Sequence, residues 1–300
     1  MTTKATILHD VFELSVFRPG QEAVIDRLLA GRSVLSVFPT GAGKSLCYQL
    51  PALLLDGVTV VVSPLIALMK DQVDALRRKG VLAARLDSTL TQKEVAEIHE
   101  LLEKGQIRLL YVAPERLSSE RFVNRLRGLK IPLLAVDEAH CISEWGHNFR
   151  PDYLKIARIA RDLGVGRVLA LTATATPSVA ADVRRGFGIA DEDHVQIGFH
   201  RPNLEMRVTP VRASERTSRL TQQVSAHPGP TIVYVTLQKT SEEVAGALGA
   251  AGVSARAYHA GLETDERTAV QDSFMRGETR VVVATIAFGM GIDKADIRAV

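Results

Sequence analysis

Residues 33–45 read Ser-Val-Leu-Ser-Val-Phe-Pro-Thr-Gly-Ala-Gly-Lys-Ser. Their apolar half predicts a buried strand over Ser33–Phe38, and the glycines predict a turn into a helical pattern over Ser45–Leu55. Small residues let the backbone N–H groups of such a turn surround phosphate oxygens, and the N-terminus of the next helix favours negative charge. The stretch therefore predicts a phosphate-binding loop, although Phe38 stands where the strict pattern has its first glycine. The candidate ligand-binding residues are Thr40, Gly41, Gly43, Lys44 and Ser45.

A second decisive stretch, Leu133–His140, reads Leu-Leu-Ala-Val-Asp-Glu-Ala-His. It is an apolar strand pattern that ends on two adjacent carboxylates, and open α/β sheets bind their ligands at the carboxyl ends of strands. Solvated surface charge is unusual directly after such a run. With the Lys44 ammonium on the outer phosphates and the Ser45 hydroxyl on Mg²⁺, the two stretches together predict hydrolysis of a nucleoside triphosphate.

The composition is that of a globular chain with a sizeable core. Of the 300 residues, 46% are hydrophobic and 24% are charged, and the net charge of +3 permits nucleic-acid binding without arguing for it. Two cysteines, Cys47 and Cys141, fit a reducing compartment and are too few for a four-cysteine zinc site. The N-terminus lacks a signal-peptide pattern, and no apolar run approaches transmembrane length. We therefore expect a cytoplasmic protein, in bacteria one at the nucleoid, without a membrane partner.

Short apolar strand patterns alternate with helical patterns over residues 1–200, which we assign to a first domain. Buried strands that alternate with helices predict an α/β architecture, in which a parallel sheet is covered on both faces. Besides Ser33–Phe38, the predicted strands are Val58–Ser63, Ala84–Asp87, Ile107–Val112, Leu133–Val136 and Arg167–Leu171. The predicted helices are Ser45–Leu55, Leu65–Lys79, Gln92–Glu103 and Ser178–Gly186.

A polar, proline-bearing stretch at Phe199–Asn203 predicts an interdomain linker. The α/β rhythm then starts again, which predicts a second domain over residues 201–300. Residues 295–300 have the pattern of a further strand, and the domain is short for the sheet that it begins. We therefore expect the second domain to be incomplete and the natural chain to continue past Val300. The predicted strands are Thr231–Val235, Ala255–Tyr258 and Val281–Ala284, and the predicted helices are Gln238–Leu248 and Glu263–Met275.

Other distinctive stretches follow one another along the chain. Phe-Arg-Pro-Gly-Gln stands at residues 17–21, and a loop over residues 141–151, directly after the acidic pair, holds the only tryptophan. Three ring side chains and an arginine in one loop beside an ATPase site suggest stacking on single-stranded bases, worth about 1–3 kcal/mol per base. The remaining stretches are Val60–Val73, Tyr111–Leu117, Leu171–Ala175, Tyr258–Leu262 and Ala284–Asp293.

With these motifs in this order, the chain resembles the motor of RecQ-family ATP-dependent DNA helicases, within helicase superfamily 2. The resemblance implies two RecA-like P-loop domains with parallel sheets, and ATP and Mg²⁺ as cofactors. It implies that Lys44, Asp137 and Glu138 are catalytic, with Asp137 and Ser45 holding Mg²⁺ and Glu138 orienting and deprotonating the attacking water. The implied activity is 3′-to-5′ translocation on single-stranded DNA and duplex unwinding in DNA repair and recombination.

Nucleotide recognition is implied by two further motifs. Residues 17–21 resemble the family's adenine-reading motif, in which the Gln21 amide pairs with adenine N6 and N7 and Arg18 stands beside it. The family often has an aromatic residue where this chain has Leu14, so base stacking differs there. From the second domain, the resemblance implies Asp293 as a contact on the nucleotide side.

DNA binding and its coupling to hydrolysis are implied by the other motifs. The loop over residues 141–151 is implied to sense DNA and to signal to the ATP site, and His140 to face the second domain. Ser63 and Thr285 are implied phosphate contacts of single-stranded and duplex-junction DNA. The full set of DNA-binding or coupling candidates is Ser63, His140, Trp145, His147, Phe149, Arg150, Thr172, Thr174, His259 and Thr285.

The family's next motif, which carries a glutamine and two arginines, would lie beyond Val300. Such arginines contribute about 10³–10⁵ in rate, so we expect residues 1–300 to bind Mg-ATP, hydrolyse it slowly and not unwind DNA. One alternative is an RNA helicase, against which the aromatic loop argues. Another is a catalytically incomplete ATP- and DNA-binding switch or scaffold derived from a helicase. A small-molecule kinase would need neither the second domain nor the aromatic loop.

Overall fold

A computed structural model of the chain describes residues 2–143, 150–198, 203–285, 288, 294 and 296–300. Four of the candidate site residues, Trp145, His147, Phe149 and Asp293, lie outside this described part. The chain divides into two compact units, Met1–Arg201 and Pro202–Val300.

The first unit is built on a seven-stranded sheet in the order β3-β4-β2-β5-β6-β1-β7, and every neighbouring pair of strands is parallel. Its strands are β1 Val34–Val37, β2 Thr59–Val62, β3 Ala83–Leu86, β4 Leu109–Val112, β5 Leu133–Val136, β6 Val168–Thr172 and β7 His194–Gln196. Its α-helices are α1 Lys4–Asp10, α2 Gln21–Leu29, α3 Leu46–Leu54, α4 Ile66–Arg78, α5 Gln92–Glu103, α6 Glu120–Leu126, α7 Pro151–Asp162 and α8 Pro177–Phe187. Short 3-10 helices cover Pro114–Ser118, Ala139–Ile142 and Asp191–Asp193.

Apolar side chains cover both faces of this sheet, which confirms the predicted α/β class. In β2, Val60 and Val62 belong to one buried cluster and Val61 belongs to another, because successive side chains of a strand point to opposite faces. All four residues of β5 are buried. A strand buried on both faces must be apolar throughout, and this explains the unbroken apolar runs of the sequence.

The predicted strands and helices of the first unit are observed within two residues of their expected bounds, and α5 matches Gln92–Glu103 at both ends. Thr91 is the N-cap of that helix and forms a capping box, in which the Thr91 hydroxyl accepts from the Glu94 amide while the Glu94 carboxylate accepts from the Thr91 amide. Strand β7 was not predicted. It has three residues, pairs only with β1 in the described part of the chain and is partly exposed, so it leaves little apolar pattern.

The second unit holds a three-stranded parallel sheet in the order β8-β10-β9. Thr231 of its first strand also forms a parallel bridge with Ala299, where the Ile232 amide donates to the Ala299 carbonyl at 3.1 Å. Strand pairing at residue 299 agrees with the strand pattern expected over residues 295–300. The elements are α9 Arg216–Ala226, β8 Thr231–Tyr234, α10 Gln238–Ala250, β9 Ala255–Tyr258, α11 Thr264–Met275 and β10 Val281–Ala284, with a 3-10 turn at Ala213–Glu215.

Within the described residues, the structure contains no helix that is both long enough and apolar enough to cross a bilayer.

Candidate active site

The candidate site is assembled at the carboxyl ends of four neighbouring strands of the large sheet, in the spatial order β2-β5-β6-β1. Strand β1 leads into the predicted phosphate loop, and β5 leads into the acidic pair. Strand β2 ends before Ser63, and β6 ends on Thr172. Parallel pairing thus brings four stretches that are distant in sequence to one edge.

The phosphate loop depends on its two glycines. Gly41 has φ 82° and Gly43 has φ 77°, both in the left-handed region that side chains rarely adopt. A Cβ atom at Gly43 would also lie 2.6 Å from Nε2 of Gln21. The loop is therefore a tight cradle that only glycine permits at these positions, and Ser45 leads directly into α3. Thr40, at the tip, is exposed.

Lys44 points back across this loop. Its Nζ atom donates to the Phe38 carbonyl at 3.1 Å, and its side chain is partly buried. Burial lowers the pKa of Lys44, and the negative charges of Asp137 and Glu138 oppose that shift. A partly desolvated ammonium group beside the loop is suited to bind a phosphate group, because its attraction to an anion is stronger where water is partly excluded.

Gln21 and Arg18 hold the loop from outside. The Gln21 amide group donates to the Gly43 carbonyl at 2.9 Å and to the Ala42 carbonyl at 3.2 Å, while its oxygen accepts from the Arg18 amide at 2.8 Å. The Arg18 guanidinium in turn donates to the Gly41 carbonyl. Both amide hydrogens of Gln21 are therefore engaged, and a base could use only the second lone pair of its oxygen without breaking a bond.

Asp137 follows β5 and has a partner at each of its polar atoms. Its amide donates to the Val62 carbonyl at 2.8 Å, and its carboxylate accepts from the Ser63 hydroxyl at 3.4 Å and from the Glu138 amide at 3.0 Å. Burial, followed by the charge of Glu138, raises the pKa of Asp137 to about 6. A carboxylate that is costly to ionise by itself gains most from a bound cation.

Glu138 has a left-handed backbone, with φ 51°. Outside glycine this conformation costs on the order of 1–3 kcal/mol and is concentrated at functional sites. Its carboxylate lies 3.2 Å from Nδ1 of His140. Although burial acts to raise the pKa of Glu138, the His140 hydrogen bond and the charges of His140 and Lys44 bring it below its usual value. Glu138 is therefore ionised at neutral pH.

His140 connects this acid to the neighbouring strand. Its Nδ1 lies 2.9 Å from the Thr172 hydroxyl, which donates to the Thr174 carbonyl at 2.9 Å and accepts from the Thr174 amide at 3.2 Å. Hydrogen bonds to the Cys141 sulfur and to Glu138 raise the pKa of His140 to about 9, so the ring is a cation that donates from Nδ1. The acidic pair and the Thr172–Thr174 turn thus form one connected network.

Two contacts in this region escaped the sequence analysis. The Tyr153 hydroxyl of α7 donates to the Asp137 carbonyl at 3.0 Å, and the Ser143 hydroxyl donates to the Asp182 carboxylate of α8 at 2.7 Å. The available signal was a tyrosine in the first turn of the helix after the aromatic loop, but its target can be known only from the packing of α7. Arg150 is exposed and precedes that helix, and its amide donates to the Cys141 carbonyl at 2.9 Å.

The candidates of the second unit lie at the end of its own small sheet. His259 is buried and its Nε2 lies 3.1 Å from the Glu242 carboxylate. The Thr285 amide donates to the Tyr258 carbonyl at 3.2 Å, and its side chain is partly buried. Both residues therefore stand at the carboxyl edge, as the strand pattern predicted.

The donor set fits a nucleotide-bound magnesium ion better than a metal held by protein alone. Among the described residues there is no group of three or more His, Cys, Asp or Glu side chains that could hold a metal ion. The Ser45 hydroxyl and the Asp137 carboxylate are hard oxygen donors beside the cradle, and Mg²⁺ usually takes one or two protein ligands together with water and phosphate oxygens.

Comparison with known proteins agrees with this geometry. The family described as DEAD/DEAH box helicase matches residues 18–183, and the helicase conserved C-terminal domain matches residues 215–300. The ATP-dependent DNA helicase RecQ of Pasteurella multocida is 44% identical over 99% of this chain and 47% of its own length. The RecQ protein of Bacillus subtilis is 43% identical over 98% of this chain and 50% of its own length. The chain thus spans about half the length of these relatives.

Among solved structures, an S. cerevisiae Dbp5 chain bound to Gle1 and IP6 matches with a TM-score of 0.71 at 15% identity, over 99% of this chain and 76% of that one. This likeness supports the fold, which consists of two RecA-like helicase domains with a short second domain. By its family match the chain belongs to the DEAD/DEAH box helicases, and over almost its whole length it is similar to RecQ helicases.

Proposed function

We propose that this chain is the ATP-hydrolysing motor of a DNA helicase that moves 3′ to 5′ on single-stranded DNA and unwinds duplexes in repair and recombination. The observation that carries the proposal is the network in which Asp137 and Glu138 are joined through His140 to the Thr172–Thr174 turn, beside the phosphate loop. A network of this kind can make the position of a catalytic acid depend on a neighbouring segment. That is the requirement for a motor that couples hydrolysis to movement.

ATP is the proposed nucleotide. The phosphate loop supplies Thr40, Gly41, Gly43, Lys44 and Ser45, and the partly desolvated Lys44 ammonium would bind the outer phosphates. Arg18 and Gln21 stand beside the loop, and the free lone pair of the Gln21 oxygen would accept from the N6 amino group of adenine. Asp293 is the proposed contact from the second domain.

Mg²⁺ is the proposed cofactor, held by Ser45 and by Asp137 through water. When bound, it would neutralise charge that develops on the transferred phosphate. Asp137 is oriented for this role by the Ser63 hydroxyl and the Glu138 amide.

Glu138 is the proposed general base. It is ionised at neutral pH, and it stands, with a left-handed backbone, directly after the proposed metal-binding acid Asp137. An ionised carboxylate placed next to a metal-binding acid can orient a water molecule and take its proton, a contribution of about 10²–10⁴ in rate.

DNA is the proposed substrate, as single strands and duplex junctions. Residues 1–200 and 201–300 are the proposed domains, and the division into units at Arg201 and Pro202 supports this boundary. The two free, buried cysteines support a reducing compartment, so we propose the cytoplasm, in bacteria the nucleoid, as its location. The proposed DNA-binding or coupling residues are Ser63, His140, Trp145, His147, Phe149, Arg150, Thr172, Thr174, His259 and Thr285.

The proposal is tested by ATP binding and hydrolysis with and without single-stranded DNA, and with RNA of the same sequence. We expect DNA to stimulate hydrolysis more than RNA does, from a low basal rate in the 300-residue chain. Lys44→Ala should abolish Mg-ATP binding, while Lys93→Ala, a matched change at an exposed lysine of α5, should not. Stimulation by RNA alone would favour an RNA helicase. ATP binding without stimulation by either polymer would favour the switch or scaffold.

A further inference from the structure

A single peptide plane joins the two catalytic carboxylates. Its N–H group, from Glu138, donates to the Asp137 carboxylate at 3.0 Å, and its C=O group, from Asp137, accepts from the Tyr153 hydroxyl at 3.0 Å. The orientation of this plane therefore sets two things together. It orients the Asp137 carboxylate, which accepts from the N–H group. It also determines the φ angle of Glu138, which is left-handed.

Tyr153 is well placed to hold that plane. Its side chain is fully buried, within the apolar cluster on one face of the large sheet. It lies in the first turn of α7, where its amide donates to the Arg150 carbonyl at 2.9 Å. A ring packed on all sides has little rotational freedom, so its hydroxyl acts as a fixed donor.

The peptide needs such a donor because its conformation is strained. A left-handed glutamate is unfavourable by itself, and a chain released from its contacts would relax toward negative φ. Relaxation would rotate the N–H group away from the Asp137 carboxylate. The hydroxyl of Tyr153 opposes this rotation by binding the opposite end of the same plane.

We propose that Tyr153 is a positioning residue for the metal-binding acid, which holds the 137–138 peptide in its strained orientation and makes the aim of Asp137 depend on the position of α7. The inference rests on the proposed function of the Asp137–Glu138 pair. Arg150, directly before α7, is bonded to the Cys141 carbonyl, so the start of the helix is tied to the segment that carries the acids. A shift of the first turn of α7 would therefore move the Tyr153 hydroxyl and, with it, the peptide between Asp137 and Glu138.

The test is Tyr153→Phe, which keeps the buried ring and removes only the hydroxyl. Binding of a fluorescent ATP analogue is titrated with Mg²⁺, and the analogue's affinity is also measured in EDTA. We expect the Mg²⁺ concentration at half-maximal effect to rise about three- to tenfold, as expected for the loss of one hydrogen bond. The affinity in EDTA should not change. A merely structural role would weaken binding equally with and without Mg²⁺, and that result would overturn the proposal.

Tyr234→Phe is the matched control, because the Tyr234 hydroxyl also donates to a backbone carbonyl, that of Phe288, at 2.8 Å in the second unit. It should leave the Mg²⁺ titration unchanged. If the parent chain binds no Mg-nucleotide at all, the proposed function fails. If it binds and Tyr153→Phe titrates like the parent, only the present inference fails.

A second pair of variants tests the strain directly. Alanine at position 138 has a Cβ atom and is strained in the left-handed conformation, whereas glycine adopts that conformation without strain. Both Glu138→Ala and Glu138→Gly remove the carboxylate. Adding Tyr153→Phe should shift the Mg²⁺ midpoint about threefold or more in the alanine background and by less in the glycine background. The glycine background also keeps the test valid if Tyr153→Phe alone does not fold, since relief of strain should restore folding. Equal shifts in both backgrounds, or failure of both double variants to fold, would overturn the proposal.

Discussion

The carboxyl edges of the two sheets hold their polar side chains in different ways. At the edge of the large sheet, side chains and the Glu138 amide form a continuous hydrogen-bonded series through Ser63, Asp137, Glu138, His140 and Thr172. At the edge of the small sheet, buried His259 pairs with the exposed carboxylate of Glu242, and its Nδ1 has no partner in the described part of the chain.

The difference indicates in which unit the positions of the polar edge residues are set by contacts within the unit itself. In the first unit, each functional group is positioned by another group of the same unit, so removal of one hydroxyl or carboxylate should disturb its neighbours as well. In the second unit, the described partners of His259 and Thr285 are an exposed acid and backbone groups, so single changes there should remain local. Isosteric substitutions of the same type in the two units can test this contrast.

The largest expected effect is that of Glu138→Gln. The change removes the proposed general base without altering shape, so ATP hydrolysis should fall about 10²–10⁴-fold while Mg-ATP binding is retained. Glu243→Gln, the same change at an exposed glutamate of α10 that pairs with Lys239 at 3.7 Å, is the matched control and should leave the rate unchanged. Steady-state hydrolysis and nucleotide binding measure the two quantities. A Glu138→Gln protein with more than a tenth of the parent rate would contradict the assigned role.

The next effect concerns stability. The Thr172 hydroxyl is fully buried and serves His140 and both polar backbone groups of Thr174. Thr172→Val removes these three hydrogen bonds and should lower the free energy of unfolding by about 2–3 kcal/mol. Thr231→Val in the second unit removes a buried hydroxyl with one described bond, to the Gly229 carbonyl at 3.0 Å, and should cost about 1 kcal/mol. Urea unfolding measures the loss of stability in both variants. Equal losses would contradict the proposed difference between the two sheet edges.

The pH dependence of stability offers a third test. Burial, and then the charge of Glu138, raises the pKa of Asp137 to about 6, above its ordinary value of 3.8. The folded chain therefore favours protonated Asp137, and this contribution is complete below pH 3.8 and is lost as the pH rises through about 6. Asp137→Asn should accordingly stabilise the nucleotide-free chain at pH 7.5, by on the order of 1–3 kcal/mol, and have little effect near pH 4.

The control for this test is Asp56→Asn, an exposed acid that pairs with Lys130, which should cause no measurable change at either pH. Chemical unfolding at the two pH values provides the measurement. If Asp137→Asn gave the same change at pH 4 and at pH 7.5, the ionisation of Asp137 would not be the cause.

Most of the fold could be predicted from local sequence patterns. The apolar run at Leu133–Val136 identified β5 at both ends, and the Thr91–Glu94 capping box marks the start of α5 in the sequence itself. The candidate residues of the predicted phosphate loop and of the acidic pair also came from the sequence, since each motif is contiguous. Strand β7 was missed because three partly exposed residues at a sheet edge have no apolar periodicity.

The contacts between motifs could not be predicted in the same way. His140 and Thr172 lie 32 residues apart, and they meet because β5 and β6 are neighbours in a particular register. The Tyr153 hydroxyl reaches the Asp137 carbonyl because of the way α7 packs on the sheet. The left-handed φ of Glu138 has no sequence signal at all, since the usual indicator of that conformation is glycine. The candidate residues therefore came from sequence, and their mutual dependence came from structure.

The smallest expected effect is that of Glu242→Gln, which completes the contrast. The His259–Glu242 pair spans 3.1 Å, but the Glu242 side chain is 62% exposed, so water and salt screen its charge. The glutamine oxygen can still accept a hydrogen bond from His259, and the free energy of unfolding should change by less than about 0.5 kcal/mol. Urea unfolding at low salt and in 1 M NaCl measures this change, which should vanish at high salt. A loss as large as that of Thr172→Val, unaffected by salt, would mean that the small sheet holds its edge residues as tightly as the large one. His259 would then be part of a network in which, as at Glu138, one side chain sets the position of the next.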